Sequence, residues 1–173
     1  RGLGDVYKRQ GHEPSGYATQ VYDLTEYLNY GTENLLTVRV DASTEEGWYY
    51  EGAGIYRDVW LEKMSLVHVA PFGTFVTSHI TDSYKAADVN IEVRLSNKGL
   101  EPANCTVLNR VLDATGREVV STQKSDITLA PKQEEVKLLQ SVKMNDIHLW
   151  NLEQPYLYTL YTDVYAVSYT HLT

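Results

Sequence analysis

The side chains of this 173-residue chain that could do chemistry are few, and their spacing argues against it. Two carboxylates can serve as acid/base and nucleophile only when held roughly 5–5.5 Å apart. Glu45 and Glu46 are adjacent, so on an extended segment they point to opposite sides. Glu134 and Glu135 share that problem beside the turn at Pro131, and both pairs read as solvated loop charges. His12, His68, His79 and His148 are far apart, with no HExxH and no i,i+4 pair, so no metal site is expected. A single cysteine, Cys105, allows neither an internal disulfide nor a cysteine metal site and reads as a buried structural thiol. Gly52-Ala53-Gly54 follows an aromatic run and leads into a strand, whereas a dinucleotide loop follows a strand and opens a helix. There is no G-x-S-x-G elbow and no phosphate-binding G-x-x-x-x-G-K-[ST] loop. No catalytic residue, metal or cofactor is assigned to these residues.

The elements that would position any site are strands. Leu35–Val40 and Asp58–Lys63 are short, near-alternating runs bounded by Tyr30-Gly31-Thr32 and Gly52-Ala53-Gly54. Leu24–Tyr30 could form one helical turn, capped by Asp23 or Thr25 and ended by Gly31. From Val67 the pattern becomes regular: Thr74–Ile80, Val89–Ser96, Thr106–Asp113, Glu118–Thr122, Val136–Val142 and Leu157–Tyr165 read as strands between turn signals. In Val89–Leu95 the odd positions are apolar and the even ones polar, which gives one buried face. A domain boundary is expected near Met64–Ser65. The 14 tyrosines could stack on sugar rings, but tyrosine also favours strands, and that plainer reading is preferred.

The formal charge is −8, with basic residues scattered, so a phosphate backbone would be repelled and nucleic-acid binding is not expected. No apolar run approaches the roughly 20 residues that span a bilayer, and no membrane partner is expected. The two ends stand apart from the rest. Asp5–Gln10 and Val167–Leu172 can be encoded by nucleotide strings that are reverse complements over nearly their whole length. They resemble a translated transposase end used in preparing sequencing libraries. Residues 1–10 and 167–173 are therefore excluded from fold reasoning as read-through sequence.

Trp48-Tyr49-Tyr50-Glu51-Gly52-Ala53-Gly54-Ile55-Tyr56-Arg57-Asp58-Val59-Trp60-Leu61 resembles the W-Y-x-G-x-G-I-Y-R-D-V-W-L signature of family 2 glycoside hydrolases. Gly11–Tyr17 with Tyr22–Leu28 looks like that family's G-x-x-x-G-Y…F-D-I-T-x-x-L segment, and Asn34–Val40 like its N-x-L-x-V-x-V strand. Leu149–Leu160 is similar to L-W-x-P-E-x-P-x-L-Y-x-L, with Leu152 where the family has proline. The resemblance covers Gly11–Ala166.

The resemblance implies an all-β chain: a partial jelly-roll sandwich followed by an immunoglobulin-like β-sandwich. Residues 11–64 would be the C-terminal part of a galactose-binding-like jelly roll. Residues 65–166 would be the immunoglobulin-like domain, with its last strand absent. It further implies a parent that is a retaining β-glycosidase, first a β-galactosidase, with glucuronide and mannoside specificity open. Its two glutamates lie in a TIM barrel that follows and packs against these domains, so this chain should be inactive. The implied partner is a β-linked carbohydrate, reached through the parent; a homo-oligomer, a cofactor of the parent, and a periplasmic or cytoplasmic location are left open. The competing reading is a stand-alone carbohydrate-binding or adhesive β-sandwich.

In several β-galactosidases and β-glucuronidases an aspartate six residues before the signature's second glycine reaches the active-site rim. Here that position is Trp48, as in many relatives. Trp48 either stacks on the sugar or is a packed core or interface tryptophan. Arg57 and Asp58 read as structural, an ion pair or a backbone anchor. Truncated sheets leave open edges, so the chain alone is expected to be marginally stable.

Overall fold

A computed structural model describes residues 17–40, 54–81 and 83–167. The chain divides into two compact units, Arg1–Leu61 and Glu62–Thr173. In the first unit the described residues hold one regular element, a 3-10 turn at Thr25–Tyr27. Asp23 prepares it: its Oδ1 accepts from the Thr25 backbone N–H at 3.0 Å and from the Thr25 hydroxyl at 2.7 Å. Gly31, at φ 81°, takes the left-handed conformation that ends the segment. Asn34 then pins the loop, accepting from the Asn29 N–H at 2.8 Å and donating back to the Asn29 carbonyl at 3.0 Å.

The strands expected at 35–40 and 58–63 are not formed among the described residues. A strand is defined by the ladder it joins, and neither run has one. Their large side chains stay in solvent accordingly, Leu35 at 92% exposure and Leu61 at 84%.

The second unit has six strands: β1 (Val67–Ile80), β2 (Ala86–Asn97), β3 (Ala103–Leu112), β4 (Glu118–Leu129), β5 (Val136–Asn145) and β6 (Thr159–Val167). They form two three-stranded sheets, in the orders β1-β2-β5 and β4-β3-β6, with every neighbouring pair antiparallel. The chain is all-β, and this unit is the immunoglobulin-like sandwich. Most strands run longer than their alternation suggested, β4 above all, which continues past Thr122 to Leu129.

Alternation builds the core. Ala87, Val89, Ile91, Val93 and Leu95 of β2 meet Cys105, Val107 and Val111 of β3 between the sheets, with Leu129 and Met144 completing the cluster. Each fully buried aliphatic side chain contributes about 1.5–3 kcal/mol. One polar group belongs to this interior. Asn109, fully buried, donates from Nδ2 to Gln140 Oε1 at 2.8 Å and accepts from the Thr162 hydroxyl at 2.6 Å. Gln140 Nε2 reaches the Thr122 hydroxyl at 3.5 Å, so β3, β4 and β6 of one sheet are tied to β5 of the other. Among the described residues no buried side-chain N or O lacks a partner.

Two local devices complete the frame. The β1–β2 register shifts between Val69 and Thr74, where Pro71, Phe72 and Gly73 bulge outward. A Cβ on Gly73 would lie 2.6 Å from the Ala70 carbonyl oxygen and 2.9 Å from that of Arg94, so glycine is required there. The β3–β4 turn is held by Asp113, whose Oδ1 accepts from the Thr115 hydroxyl (2.6 Å), the Thr115 N–H (2.9 Å) and the Arg117 N–H (3.0 Å). Gly116 at φ 83° closes it. These bonds, the Thr115 hydroxyl foremost, pull the Asp113 carboxyl down from its ordinary 3.8 to about 2.

Two outcomes are expected. Asn109→Leu keeps the volume but strands the Gln140 and Thr162 side chains, and should cost about 1–3 kcal/mol in urea unfolding at unchanged m. A loss under about 0.5 kcal/mol would show the network to be dispensable. For Asp113 the folded-state pKa is depressed, so its contribution is present above the unfolded value. It is lost as pH falls from near 4 through about 2. Asp113→Asn should therefore lower the melting temperature at pH 7 and flatten the decline of stability between those pH values. An unchanged acid limb would contradict the assignment.

Candidate functional site

In the first unit the signature motif places Arg57 against its own unit's backbone. Its Nη1 donates to the Tyr17 carbonyl at 3.2 Å, and its guanidinium carbon lies 5.1 Å from the Tyr56 ring centroid. The Tyr17 and Tyr56 rings meet edge to face at 6.4 Å. Of the two roles expected for Arg57, this geometry is the backbone anchor. Trp48, the residue offered to substrate, lies outside the described residues, as do His12, Glu45, Glu46, Gly52 and Ala53.

In the second unit the carboxylates are committed to cations. Glu134 accepts from Lys98 Nζ at 2.6 Å, while Glu135 is 3.6 Å from Arg94, so the adjacent pair is split between two partners. The sequence did not single out Glu92. Its side chain is 13% exposed and bridges Lys137 Nζ at 2.6 Å and Arg94 Nε at 3.3 Å on the outer face of its sheet. Lys137, chiefly through its hydrogen bond, holds Glu92 below its ordinary pKa, and Lys98 does the same for Glu134. Carboxyls held ionised in this way cannot deliver a proton at neutral pH. Asp163 accepts from both Arg110 Nε (3.0 Å) and Nη2 (2.7 Å), which raises the arginine's pKa further.

The remaining candidates resolve similarly. Cys105 is buried, and desolvation pushes its thiol pKa up, away from reactivity. His68 contacts the Ser65 carbonyl at 2.8 Å, and His148 stacks on Tyr156 at 4.9 Å. Among the described residues no three His, Cys, Asp or Glu side chains converge as a metal set would. A shallow, open depression between β1 and β6 is lined by Val67, His68, Val69, Thr162 and Val164 with Met64 and Ser65, and it lacks a carboxylate.

The motif at Leu149–Leu160 proves to be a braced surface loop. Tyr158 Oη accepts from the His148 N–H at 2.9 Å, and Tyr156 Oη from the Ala114 N–H at 3.3 Å. Asn151 and Gln154 bond to each other, Gln154 N–H to Asn151 Oδ1 at 2.7 Å and Asn151 N–H to the Gln154 carbonyl at 3.2 Å. Its polar atoms thus face inward, and Trp150 and Leu152 face solvent. The described residues make recognition surfaces; they do not assemble a reaction centre.

Comparison with known proteins agrees with these two motifs. The sequence profile of glycosyl hydrolases family 2 matches residues 67–168. A β-galactosidase of Bacteroides ovatus is 42% identical over 155 residues, covering 89% of this chain and 18% of its own length. A β-glucuronidase of Formosa agariphila is 26% identical over 91% of this chain and 18% of its own. The crystal structure of a family 2 glycosyl hydrolase from Bacteroides cellulosilyticus superposes with a TM-score of 0.74 at 26% identity, over 83% of this chain and 19% of that one. The chain thus spans about a fifth of the length of the relatives it matches. With the profile covering most of the chain and a relative above 40% identity, this protein belongs to glycosyl hydrolases family 2.

Proposed function

We propose that these 173 residues are the non-catalytic β-sandwich part of a retaining β-glycosidase, with terminal β-galactosides as its first substrate class. The observation that carries this reading is the 42% identity to a β-galactosidase over 89% of the chain and only 18% of that enzyme. The carboxylate geometry supports it: the engaged acids of the second unit are salt-bridged and ionised, the opposite of the raised-pKa acid that double displacement requires. The two reacting glutamates therefore belong to the barrel of the longer polypeptide. Residues 11–64 are its jelly-roll portion, at the active-site mouth, and residues 65–166 a spacer on which the barrel packs. Trp48 is the one residue of this chain offered to the sugar, by stacking on a pyranose face.

Expression of the uninterrupted gene should give a protein that releases nitrophenol from a chromogenic β-galactoside, whereas the 173-residue chain alone should release none above blank. Turnover by the short chain, or a full-length protein inert toward β-galactosides, β-glucuronides and β-mannosides alike, would overturn the proposal. In the full-length enzyme, Trp48→Ala should raise KM roughly 2- to 10-fold with kcat little changed, the loss of one aromatic stacking contact. An unchanged KM would return Trp48 to a packing role.

A further inference from the structure

Three connections meet at one end of the second unit: the β1–β2 loop, the β3–β4 turn and the long β5–β6 loop. The register places them together, since Ile80 pairs with Ala87, Ala86 with Asn145, and Leu112 with both Glu118 and Thr159. They are tied across: the Ile147 N–H donates to the Lys85 carbonyl at 3.2 Å, and the Ala114 N–H to Tyr156 Oη at 3.3 Å. On this braced tip stand Tyr84 (68% exposed), Trp150 (56%), Leu152 (84%) and Leu157 (68%), with Leu149 beside them.

Loops that expose apolar residues by flexing would lack such bracing. A fixed surface displaying four large apolar side chains is what a protein contact uses, because its ordering cost is already met. A sugar is a poor occupant. Leucine side chains offer nothing to hydroxyls, and the amide groups of the loop, Asn151 and Gln154, are turned onto one another. The relatives extend to about five times the span matched here, so most of the polypeptide available to cover the tip lies outside these residues. We infer that the tip formed by Tyr84, Trp150, Leu152 and Leu157 is the packing surface for the catalytic domain of the same polypeptide. This inference rests on the proposed reading of the chain as part of a longer glycosidase.

Maleimide labelling distinguishes the occupants. Leu152→Cys and, separately, Leu157→Cys are introduced into the 173-residue chain and into the full-length protein, and the modified peptide is quantified by mass spectrometry. Both positions are exposed in the second unit, so neither change should unfold it, and the buried native Cys105 stays silent. Both variants should label rapidly in the short chain and at least about tenfold more slowly in the full-length monomer, with rapid labelling restored by denaturant. Equal rates in the two proteins would overturn the inference. So would protection that appears in the short chain as its concentration rises, which assigns the tip to a second copy. Slowed labelling of the short chain by galacto-oligosaccharide would instead assign it to sugar. Activity is read separately: an inert full-length protein with a protected tip defeats the glycosidase reading alone, and an active one with an accessible tip defeats this inference alone.

Discussion

The hydrogen bond from the Asn109 amide to Gln140 sets the relation between the two sheets. The apolar contacts around it cannot do so. Burial of Val89, Ile91 and Val93 against Val107 and Val111 is favourable in proportion to area and has no direction, so one inner face could slide along the other at small cost. Asn109 allows no such slide. Moving the sheets by one residue pair would leave the buried amides of Asn109 and Gln140 unpaired, at about 1–3 kcal/mol for each stranded group. Thr162 and Thr122 extend the same requirement to β6 and β4. A polar group in the core thus specifies register where the hydrophobic effect supplies stability.

This division of labour explains what was legible in the sequence. Period-two alternation reports which face of a strand is buried, and it found β2, β3 and β5 closely. It reports nothing about partners. Leu35–Val40 and Asp58–Lys63 alternate as well as any run in the chain, yet among the described residues neither joins a ladder, because pairing depends on residues distant in sequence. β4 was read short for the opposite reason. Gln123-Lys124-Ser125-Asp126 has no apolar alternation, but β3 pairs with it across two register shifts and carries it to Leu129. Asn109 was invisible because a polar residue at an inward position looks like an interruption of the pattern until its partners are known. Family membership, by contrast, was plain from two motifs, since exact residue strings survive without any knowledge of contacts. The position those motifs offered to substrate, Trp48, lies outside the described residues.

The charges of the second unit point to scaffolding. A glycosidase acid must keep its proton at working pH, which calls for desolvation or a neighbouring anion. Glu92, Glu134 and Asp163 each have a cation at salt-bridge distance. Asp113 is further committed to a turn, where ionisation is what makes its three hydrogen bonds to Oδ1 strong. The same electrostatics that hold the sandwich together disqualify its acids from catalysis.

The edges of the sandwich explain why its contacts should come at an end. β1 is broken by the Pro71–Gly73 bulge, β4 by two register shifts and the charges of Lys124 and Asp126, and β5 carries Lys137 and Lys143 along its length. Such devices discourage a neighbouring strand. β6 pairs with β3 without a shift and has no proline, so it is the one edge able to accept another strand. Lateral association is thereby confined to a single backbone ladder, which offers little choice of side chains. Selectivity has to be expressed where connections of different length meet. At the tip the thirteen-residue β5–β6 loop, fixed by the Tyr156 and Tyr158 hydroxyls, can present tryptophan and leucine at angles a flat sheet cannot.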